Sequence, residues 1–454
     1  MYSFKLSQHD LRRVIDLFVA FHKRFSHFFR TKTRSVARQA QAYSAGQIQS
    51  DTRRNLVKFT HCVPEVNEQA MQHFISNSSW KDAPLIAQLQ QDVDRLIGDP
   101  NEGALILDES GFPKQGKHSV GVKRQYCGAL GKVDNCQVGV FLAYAKDSNT
   151  TLIDRRLYLP KDWANDKERH QKAGVPEDVT FKTKAQLGLE MILDAHSREL
   201  RFGWVGMDAH YGEQPWLRNQ LDDEDIIYMA DIPVTHRIFL EKPRILIPKR
   251  KGHRGRKPTK LKPDTVPLNV KAFLEVQPAE CWHRLKIRDT ERGELEADFA
   301  AFRIFSVNGQ GLPDREVWLV VRREIDDPKE MKFAFSNAPE ETSIERLASM
   351  LCSRYWVERA LQNAKGEAGL DEYEVRSWQA WHHHMSMTML SMLFLLQVQL
   401  MFKEKASMLT IQDARWILKK LLPRREITPE EILKLIQKRH KARFSARKSR
   451  MKHK

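Results

Sequence analysis

The sequence predicts a mixed α/β fold, and three observations carry that prediction. Short apolar runs alternate with helical patterns through the middle of the chain. Apolar residues recur at helical spacing near both ends. A stretch with many prolines and alternating segments interrupts the middle region. We expect a helical domain at 1–100, a core at 101–231 and 341–408, a β-rich insertion at 232–340, and C-terminal helices with a basic tail at 409–454.

The N-terminal region is predicted to be helical. Leu11, Val14, Phe18 and Phe21 follow one another at helical spacing, which indicates one buried helix face. Residues 99–103, DPNEG, combine Pro, Asn and Gly and should break the chain. We therefore expect this break to end the N-terminal domain and to begin the core.

The core is predicted from buried strands that precede helices. An apolar run at 104–107 ends in Asp108, and a second run at 202–207 ends in Asp208. A helix is expected at 182–200, because its apolar residues share one face. Strands followed by helices are typical of an α/β sheet. The other predicted strands lie at 137–144, 152–159 and 226–230.

The distribution of charge predicts a polyanionic partner. The 454 residues include 75 Lys or Arg and 58 Asp or Glu, which gives a net charge of +17. Residues 242–262 carry ten Lys or Arg and no acid, and residues 438–454 carry nine and no acid. Segregation of this kind favours nucleic acid over simple solvation. We expect the helical domain at 1–100, the 242–262 segment and the basic tail to bind it. The 17-residue apolar run at 385–401 contains Ser, Thr and Gln, so a buried helix is expected there and no membrane partner.

Five cysteines without a Cys-x2-Cys pair argue against a disulfide framework or a zinc ribbon. A reducing, cytoplasmic compartment fits this composition.

Three acids stand out as candidate catalytic residues. Asp108 and Asp208 each follow a buried strand, and Glu358 lies in a predicted helix. The carboxyl ends of strands are where side chains of an α/β sheet converge on a ligand. Carboxylates that meet there repel one another unless a cation neutralises them, and oxygen ligands select Mg²⁺ or Mn²⁺. Two such ions suit phosphodiester chemistry.

Each acid also has an ordinary structural interpretation. Asp108 and Asp208 could belong to turns or helix caps, since aspartate favours both. Glu358 could pair with Arg354 one helical turn away on a solvated face. Spacing alone leaves these alternatives open.

Three motifs in order make the chain resemble the DDE-type transposases of bacterial insertion sequences. The matching segments are LDESGFPKQGKHSVGVKRQYCGALGKVDNCQVGVFLAY around Asp108, GWVGMDAHYG around Asp208, and RYWVERALQNAKGEAGLDEYEVRSW around Glu358. Arg354, Glu358 and Lys365 keep the spacing of a Tyr-x2-Arg-x3-Glu-x6-Lys signature, whereas Leu351 stands at its tyrosine position. The segments YSAGQIQSDTRRN and MQHFISNSSW also resemble the front of such enzymes.

The resemblance implies a ribonuclease-H-like catalytic domain, with a β-rich insertion between the last core strand and the helix of Glu358. It further implies metal-dependent DNA cleavage at element ends, followed by strand transfer into target DNA. Asp108, Asp208 and Glu358 would be catalytic and would hold two Mg²⁺ ions, for which Mn²⁺ can substitute. The partners would be double-stranded DNA, both transposon ends and target, and a second copy of the chain in the DNA complex. The protein would work in the cytoplasm, at the nucleoid.

Several residues are predicted to contact DNA. Arg354 and Lys365 would neutralise phosphates next to the scissile bond. Tyr355 could stack on a flipped base, a role that Trp356 could take instead if it is not a core residue. The remaining candidates are Lys114 and Lys117 beside Asp108, and Arg250, Arg254 and Arg256 in the middle basic segment.

Three competing motifs are weaker. Residues 111–117 fit the GxxxxGK pattern of a phosphate-binding loop, but His118 follows where Ser or Thr is needed. Glu367 and Glu374 compete with Glu358 for the role of the third acid, and Glu367 is the second choice. The run of three histidines at 382–384 favours a polar helix entry over a metal site.

Two other functions stay open. One is a catalytically inactive, sequence-specific DNA-binding protein, for which three acids near phosphate would be unfavourable because they repel DNA. The other is a stand-alone nuclease of the same fold, which differs only in lacking strand transfer.

Overall fold

The computed structural model describes residues 4–51, 54–249, 257–290 and 293–452. Its helices are α1 (Gln8–Phe25), α2 (Ala37–Gln49), α3 (Leu56–Cys62), α4 (Glu68–Ser76), α5 (Asp82–Ile97), α6 (Lys161–Ala164), α7 (Lys167–Lys172), α8 (Lys184–Ser197), α9 (Ala209–Gly212), α10 (Pro215–Asp223), α11 (Val270–Glu275), α12 (Ile344–Ser353), α13 (Tyr355–Ala368), α14 (Trp378–Phe402), α15 (Ile411–Leu421) and α16 (Pro429–Lys452). Its strands are β1 (Ala104–Pro113), β2 (Lys123–Cys127), β3 (Lys132–Lys146), β4 (Asn149–Leu157), β5 (Trp204–Met207), β6 (Tyr228–Ile232), β7 (Arg237–Phe239), β8 (Ile245–Leu246), β9 (Lys262–Pro263), β10 (Leu268–Asn269), β11 (His283–Thr290), β12 (Gly293–Val307), β13 (Pro313–Arg323) and β14 (Met331–Ser336).

The chain divides into two compact units. The first comprises Met1–Asp82, Lys365–Val375 and Gln379–Lys454, and the second comprises Ala83–Ala364 and Arg376–Trp378. This grouping differs from the four parts expected from the sequence. The second unit takes in the expected insertion together with the core, because their strands pair in one sheet.

The first unit is helical and is built around the apolar helix α14. Among the described residues, α14 is the one helix long and apolar enough to cross a membrane by length and composition, and most of it is buried. Its polar side chains are satisfied inside the unit: Ser391 Oγ donates to Gln47 Oε1 at 2.9 Å. Gln47 Nε2 in turn donates to Thr388 Oγ1 at 2.8 Å. These hydrogen bonds fit the expected buried helix, since a buried polar group without a partner is costly.

The second unit contains a 12-stranded sheet. Its central strands run in the order β4-β3-β1-β5-β6. Strand β3 is antiparallel to β1 and β4, whereas β5 and β6 are both parallel to β1 in direction. Helices α8, α9 and α10 connect or flank the parallel strands. This is the ribonuclease-H-like mixed sheet that the sequence predicts, so the predicted fold class is confirmed.

The β-rich segment after β6 continues the core sheet. Strand β14 pairs antiparallel with β6, and β13, β12, β7 and β10 follow it outward. The longest ladder of this part joins β12 to β13, where apolar residues such as Phe299 and Val321 are fully buried. The expected insertion therefore extends the sheet through backbone pairing, which no local sequence pattern reveals.

Two elements differ from the sequence-based expectation. Strand β1 continues through Asp108 to Pro113, because β3 pairs with it along its whole length. The expected basic tail instead belongs to the helix α16, whose side chains from Lys438 to Met451 are exposed. Helical propensity of its Lys, Arg and Ala residues accounts for the helix without an apolar partner.

Candidate active site

Asp108 and Asp208 lie side by side where the parallel pairing of β1 with β5 ends. The ladder between β1 and β5 ends at the pair Leu107–Met207. Each aspartate is the next residue of its strand or of the turn that follows. Both side chains are half-buried. The expected convergence of the two acids at the carboxyl edge of the sheet is therefore present in the structure.

Asp231 occupies the same level on the next strand. In the parallel ladder between β5 and β6, Met207 pairs with Ala230, so Asp231 follows at the height of Asp208. Only 17% of the Asp231 side chain is exposed. We call Asp108, Asp208 and Asp231 the acidic edge.

Helix α9 fixes the geometry of the acidic edge behind Asp208. Asp208 caps this helix, because its Oδ1 accepts hydrogen bonds from the backbone N–H of His210 at 3.0 Å and of Tyr211 at 3.3 Å. The helix ends at Gly212, where a Cβ would lie 2.0 Å from the carbonyl oxygen of Asp231. Only glycine permits so close an approach of α9 to β6.

Arg354 joins the acidic edge to the third predicted acid. It stands at the junction between α12 and α13, where the sequence predicts one continuous helix. Its Nε lies 2.9 Å from Asp231 Oδ2, and its Nη2 lies 3.4 Å from Glu358 Oε1. Glu358 sits in the first turn of α13 with 56% of its side chain exposed. The signature position Leu351 is buried on α12.

The aspartates of the edge have perturbed acidities. Burial, together with the charge of Asp208, raises the pKa of Asp108 to about 7. Burial also raises the pKa of Asp208, although the backbone N–H of Tyr211 and the charge of Arg354 oppose it. Burial raises the pKa of Asp231 to about 6 against the opposing charges of Arg354 and Lys332. Perturbed carboxylates of this kind cluster at functional sites.

Arg354 is the shared counter-charge of this group. Burial acts to lower the pKa of Arg354, but surrounding carboxylates outweigh burial and hold that pKa above its ordinary value. Those carboxylates belong to Asp231, Asp108, Glu358 and Asp208. One guanidinium therefore faces an excess of negative charge.

A second ion pair lies beside the edge. Lys184 Nζ of α8 donates to Glu109 Oε1 at 2.6 Å, and both side chains are largely buried. The charge of Glu109 contributes to the raised pKa of Asp108 and of Asp208. Lys184 neutralises much of that charge, which leaves the aspartates as the uncompensated acids.

The acidic edge fits a divalent cation in its donor chemistry. Asp108 and Asp208 offer carboxylate oxygens, and because burial raises the pKa of both, their charged forms would be stabilised by a bound cation. Within the described ranges, no three His, Cys, Asp or Glu side chains are close enough together to hold a metal ion. The fit is therefore one of two aspartates, with Glu358 reached through Arg354 rather than joined to them.

The other predicted DNA contacts near Glu358 are placed as follows. Lys365 is half-buried seven residues further along α13 and belongs to the first unit. The ring of Tyr355 is 39% exposed, and the guanidinium of Arg288 lies 4.1 Å from its centroid. The same guanidinium lies 4.7 Å from the ring of Trp356, which is half-buried.

Of the remaining basic candidates, Lys114 and Lys117 lie farther from the acids along the chain. Lys114 and Lys117 follow β1, and Lys114 is six residues beyond Asp108, about 20 Å along an extended strand. The Nδ2 of Asn135 donates to the carbonyls of Lys114 and Gly116 and fixes this loop. The expected position beside Asp108 is therefore not what the structure shows. The candidates Arg250, Arg254 and Arg256 lie outside the described residues.

The competing motifs have structural roles. The GxxxxGK segment leads into strand β2 instead of a helix, so it lacks the helix N-terminus of a phosphate-binding loop. Glu367 Oε2 lies 3.4 Å from Arg415 Nη1 inside the first unit. His383 bonds the carbonyls of Ile75 and Trp80, and His384 bonds the hydroxyl of Tyr43 at 2.8 Å. These histidines are buried, which corrects the expected polar helix entry.

Sequence reasoning missed Asp231, Glu109 and Lys184. Asp231 has the signal that identified its neighbours, since it directly follows the buried run 226–230. Glu109 and Lys184 have no comparable signal, because their pairing joins a strand to a helix 75 residues away.

Comparison with known proteins agrees with this geometry. Residues 23–294 match the family described as DDE superfamily endonuclease, and the chain belongs to that family. It is thus an enzyme that cuts nucleic acid strands, its partner is DNA, and enzymes of its superfamily use divalent metal ions. The predicted class and enzymatic character are confirmed.

The chain is also similar to a protein of Microchaete diplosiphon named "Probable transposase for insertion sequence element IS701". The two are 25% identical over 334 residues, which cover 73% of this chain and 74% of the relative.

Proposed function

We propose that this endonuclease is the transposase of an insertion sequence, which cleaves DNA at the ends of its element and joins the freed strand to target DNA. One observation carries the proposal: Asp108 and Asp208 meet at the carboxyl edge of the sheet with raised pKa values. The similarity to the IS701 protein supports transposition over other uses of an endonuclease.

Asp108, Asp208 and Glu358 are the proposed catalytic residues and the holders of two Mg²⁺ ions, for which Mn²⁺ substitutes. Bound divalent ions supply activation of the attacking oxygen and stabilisation of the leaving oxygen. The protein's own part is to hold the carboxylates in place. Asp108 is held by the pairing of β1 with β3, and Asp208 by the cap of α9. Glu358 lies in the first turn of α13 with an exposed side chain, and it is proposed to turn from Arg354 toward the two aspartates.

Arg354 and Lys365 are the proposed phosphate contacts next to the scissile bond. A phosphate that reaches Arg354 would meet a buried, permanently charged guanidinium, which binds phosphate oxygens in pairs. Tyr355, exposed beside Arg288, is the proposed stacking surface for an unpaired base.

Other basic segments are proposed to bind DNA away from the chemistry. They include Lys114, Lys117, the middle segment with Arg250, Arg254 and Arg256, and the exposed basic helix α16. Binding through these groups would weaken steeply as the salt concentration rises. The working complex is proposed to be a homodimer on two element ends, in the cytoplasm and at the nucleoid.

A strand-nicking assay on the DNA that flanks this gene tests the proposal. Wild-type protein with Mg²⁺ should cut at the element ends, and neither EDTA-treated protein nor Asp108→Asn should cut. Adding a target plasmid should then yield joined products. Cleavage without joining would favour the stand-alone nuclease, and binding without cleavage would leave the DNA-binding alternative.

A further inference from the structure

The ion pair between Asp231 and Arg354 divides the carboxylates around the guanidinium into two kinds. Asp231 Oδ2 lies 2.9 Å from Arg354 Nε, whereas the contact of Glu358 with the same guanidinium is longer, at 3.4 Å. Asp231 and Arg354 are largely buried, with 17% and 22% of their side chains exposed, whereas Glu358 is exposed. Asp231 is therefore the closer ion-pair partner of the Arg354 guanidinium.

Asp231 lies on a strand that pairs with a neighbour on each side. Strand β6 pairs on one side with β5 and on the other with β14, where Ala334 is the partner of Asp231. Arg354 stands where α12 ends and α13 begins, one helical turn before Glu358. The ion pair thus ties the start of α13 to a central strand at the level of Asp208.

We propose that Asp231 is a positioning residue that holds Arg354 in place and restrains its charge, so that the guanidinium and Glu358 face the acidic edge in the orientation needed for cleavage. The inference rests on the proposed function of this edge. Charged groups facing Asp231 are Arg354, Lys332 of β14 and Asp208. The carboxylate of Asp231 forms an ion pair with Arg354. Asp231 therefore acts through the arginine and does not contact the reacting atoms.

A test must separate positioning from a general loss of folding. Asp231→Asn keeps the shape and removes the charge, and Asp231→Glu keeps the charge. Asp298→Asn is the matched control, since Asp298 Oδ2 lies 2.9 Å from Arg323 Nη2 with similarly low exposure in the same sheet. Thermal melting of all variants measures the structural effect.

The first readout is the dependence of DNA binding on salt. Asp231 offsets part of the charge with which Arg354 meets phosphate, so Asp231→Asn should bind non-specific DNA more tightly, with a log–log salt slope steeper by up to about 0.9. Asp298→Asn should keep the wild-type slope. A slope for Asp231→Asn equal to the wild-type slope would overturn the proposal, whether or not the protein cleaves.

The second readout is a double-mutant cycle on cleavage. Asp231→Asn should lower kcat by about 10–100-fold, Asp231→Glu should recover part of that loss, and Asp231→Asn combined with Arg354→Gln should be no slower than Arg354→Gln alone. If the double variant instead shows the product of the two single losses in kcat, Asp231 does not act through Arg354. If Asp108→Asn cleaves like wild type, the proposed function itself fails, and the salt slope still decides the role of Asp231.

Discussion

Two regions of the same sheet combine aspartates with arginines in opposite proportions. At the acidic edge, Asp108, Asp208 and Asp231 share the single guanidinium of Arg354 with Glu358. In the β-rich extension, Asp298 forms ion pairs with two arginines. Its Oδ1 lies 3.1 Å from Arg284 Nε, and its Oδ2 lies 2.9 Å from Arg323 Nη2.

The two arrangements shift acidity in opposite directions. Burial, with help from Asp208, raises the pKa of Asp108 to about 7. Burial also acts to raise the pKa of Asp298, but hydrogen bonds from Arg284 and Arg323 outweigh it and hold that pKa below its ordinary value. Both acids are removed from water in part, but Asp108 lies near another carboxylate, whereas Asp298 accepts hydrogen bonds from two guanidinium groups.

The difference separates a structural ion pair from a functional site. A carboxylate whose oxygens both meet guanidinium groups stabilises the folded state and has no capacity left for a ligand. Carboxylates held together without enough counter-charge destabilise the folded state. Such a cluster is typical of a site that binds a cation. Each experiment below either breaks or sharpens this contrast.

The largest expected effect is on cleavage. Asp208→Asn should lower the rate of DNA cleavage by about a thousandfold or more, because several kcal/mol of transition-state stabilisation depend on the charge of the edge. Asp298→Asn should cleave within about threefold of wild type, since a loss of stability alone leaves the folded fraction nearly unchanged. Initial rates on a labelled duplex measure both. Equal losses of cleavage rate in Asp208→Asn and Asp298→Asn would contradict the distinction between a functional and a structural region.

The next largest effect concerns the packing of the edge. Gly212→Ala should lower the free energy of unfolding by about 3 kcal/mol, because its Cβ would lie 2.0 Å from the Asp231 carbonyl oxygen. Gly309→Ala is the matched control, since nothing lies within 4 Å of the Cβ that it would add. Urea unfolding of both variants tests this. A loss of the same size at Gly309 would show that the close approach of α9 to β6 is not the cause.

Removing the structural pair should cost stability where removing an edge charge does not. Asp298→Asn should lower the free energy of unfolding by about 2 kcal/mol, because two guanidinium groups lose their partner. Asp108→Asn should leave stability equal or higher at pH 8 without metal, since it removes a repelled charge. Chemical unfolding followed by circular dichroism gives both values. A clearly destabilised Asp108→Asn would mean that the edge is itself a structural cluster.

The last expected effect is on the pH dependence of the free energy of unfolding, which should have opposite signs in the two regions. Because the pKa of Asp108 is raised to about 7, the folded protein keeps a proton that the unfolded chain releases, and stability falls as the pH rises from about 4 to 7. We expect this fall in stability in metal-free protein and its absence in Asp108→Asn. The lowered pKa of Asp298 gives stability that is present above about pH 4 and lost in stronger acid. Unfolding at a series of pH values checks both signs.

The sequence allowed the acidic edge to be found because its signal is local. Asp108 and Asp208 directly follow buried apolar runs, and parallel strands bring such positions together. The same rule applies to Asp231, which follows the buried run 226–230. The mixed sheet itself followed from the alternation of strands and helices.

The rest depended on contacts between distant parts of the chain. The extension of the sheet through β14 requires pairing of residues about 100 positions apart, which leaves no local pattern. The break at Arg354 lies in a segment whose composition suits one continuous helix. The Asp298 cluster joins three strands, and nothing in its neighbouring residues distinguishes it from a solvated charge.

The most direct test of the central claim is a titration of DNA-free protein with Mn²⁺, followed by the electron paramagnetic resonance signal of the free ion. The account predicts that wild type and Asp298→Asn take up the ion alike, and that Asp108→Asn loses most of that binding. Uptake by Asp108→Asn equal to that of wild type would contradict the assignment of the acidic edge as the metal-binding catalytic site.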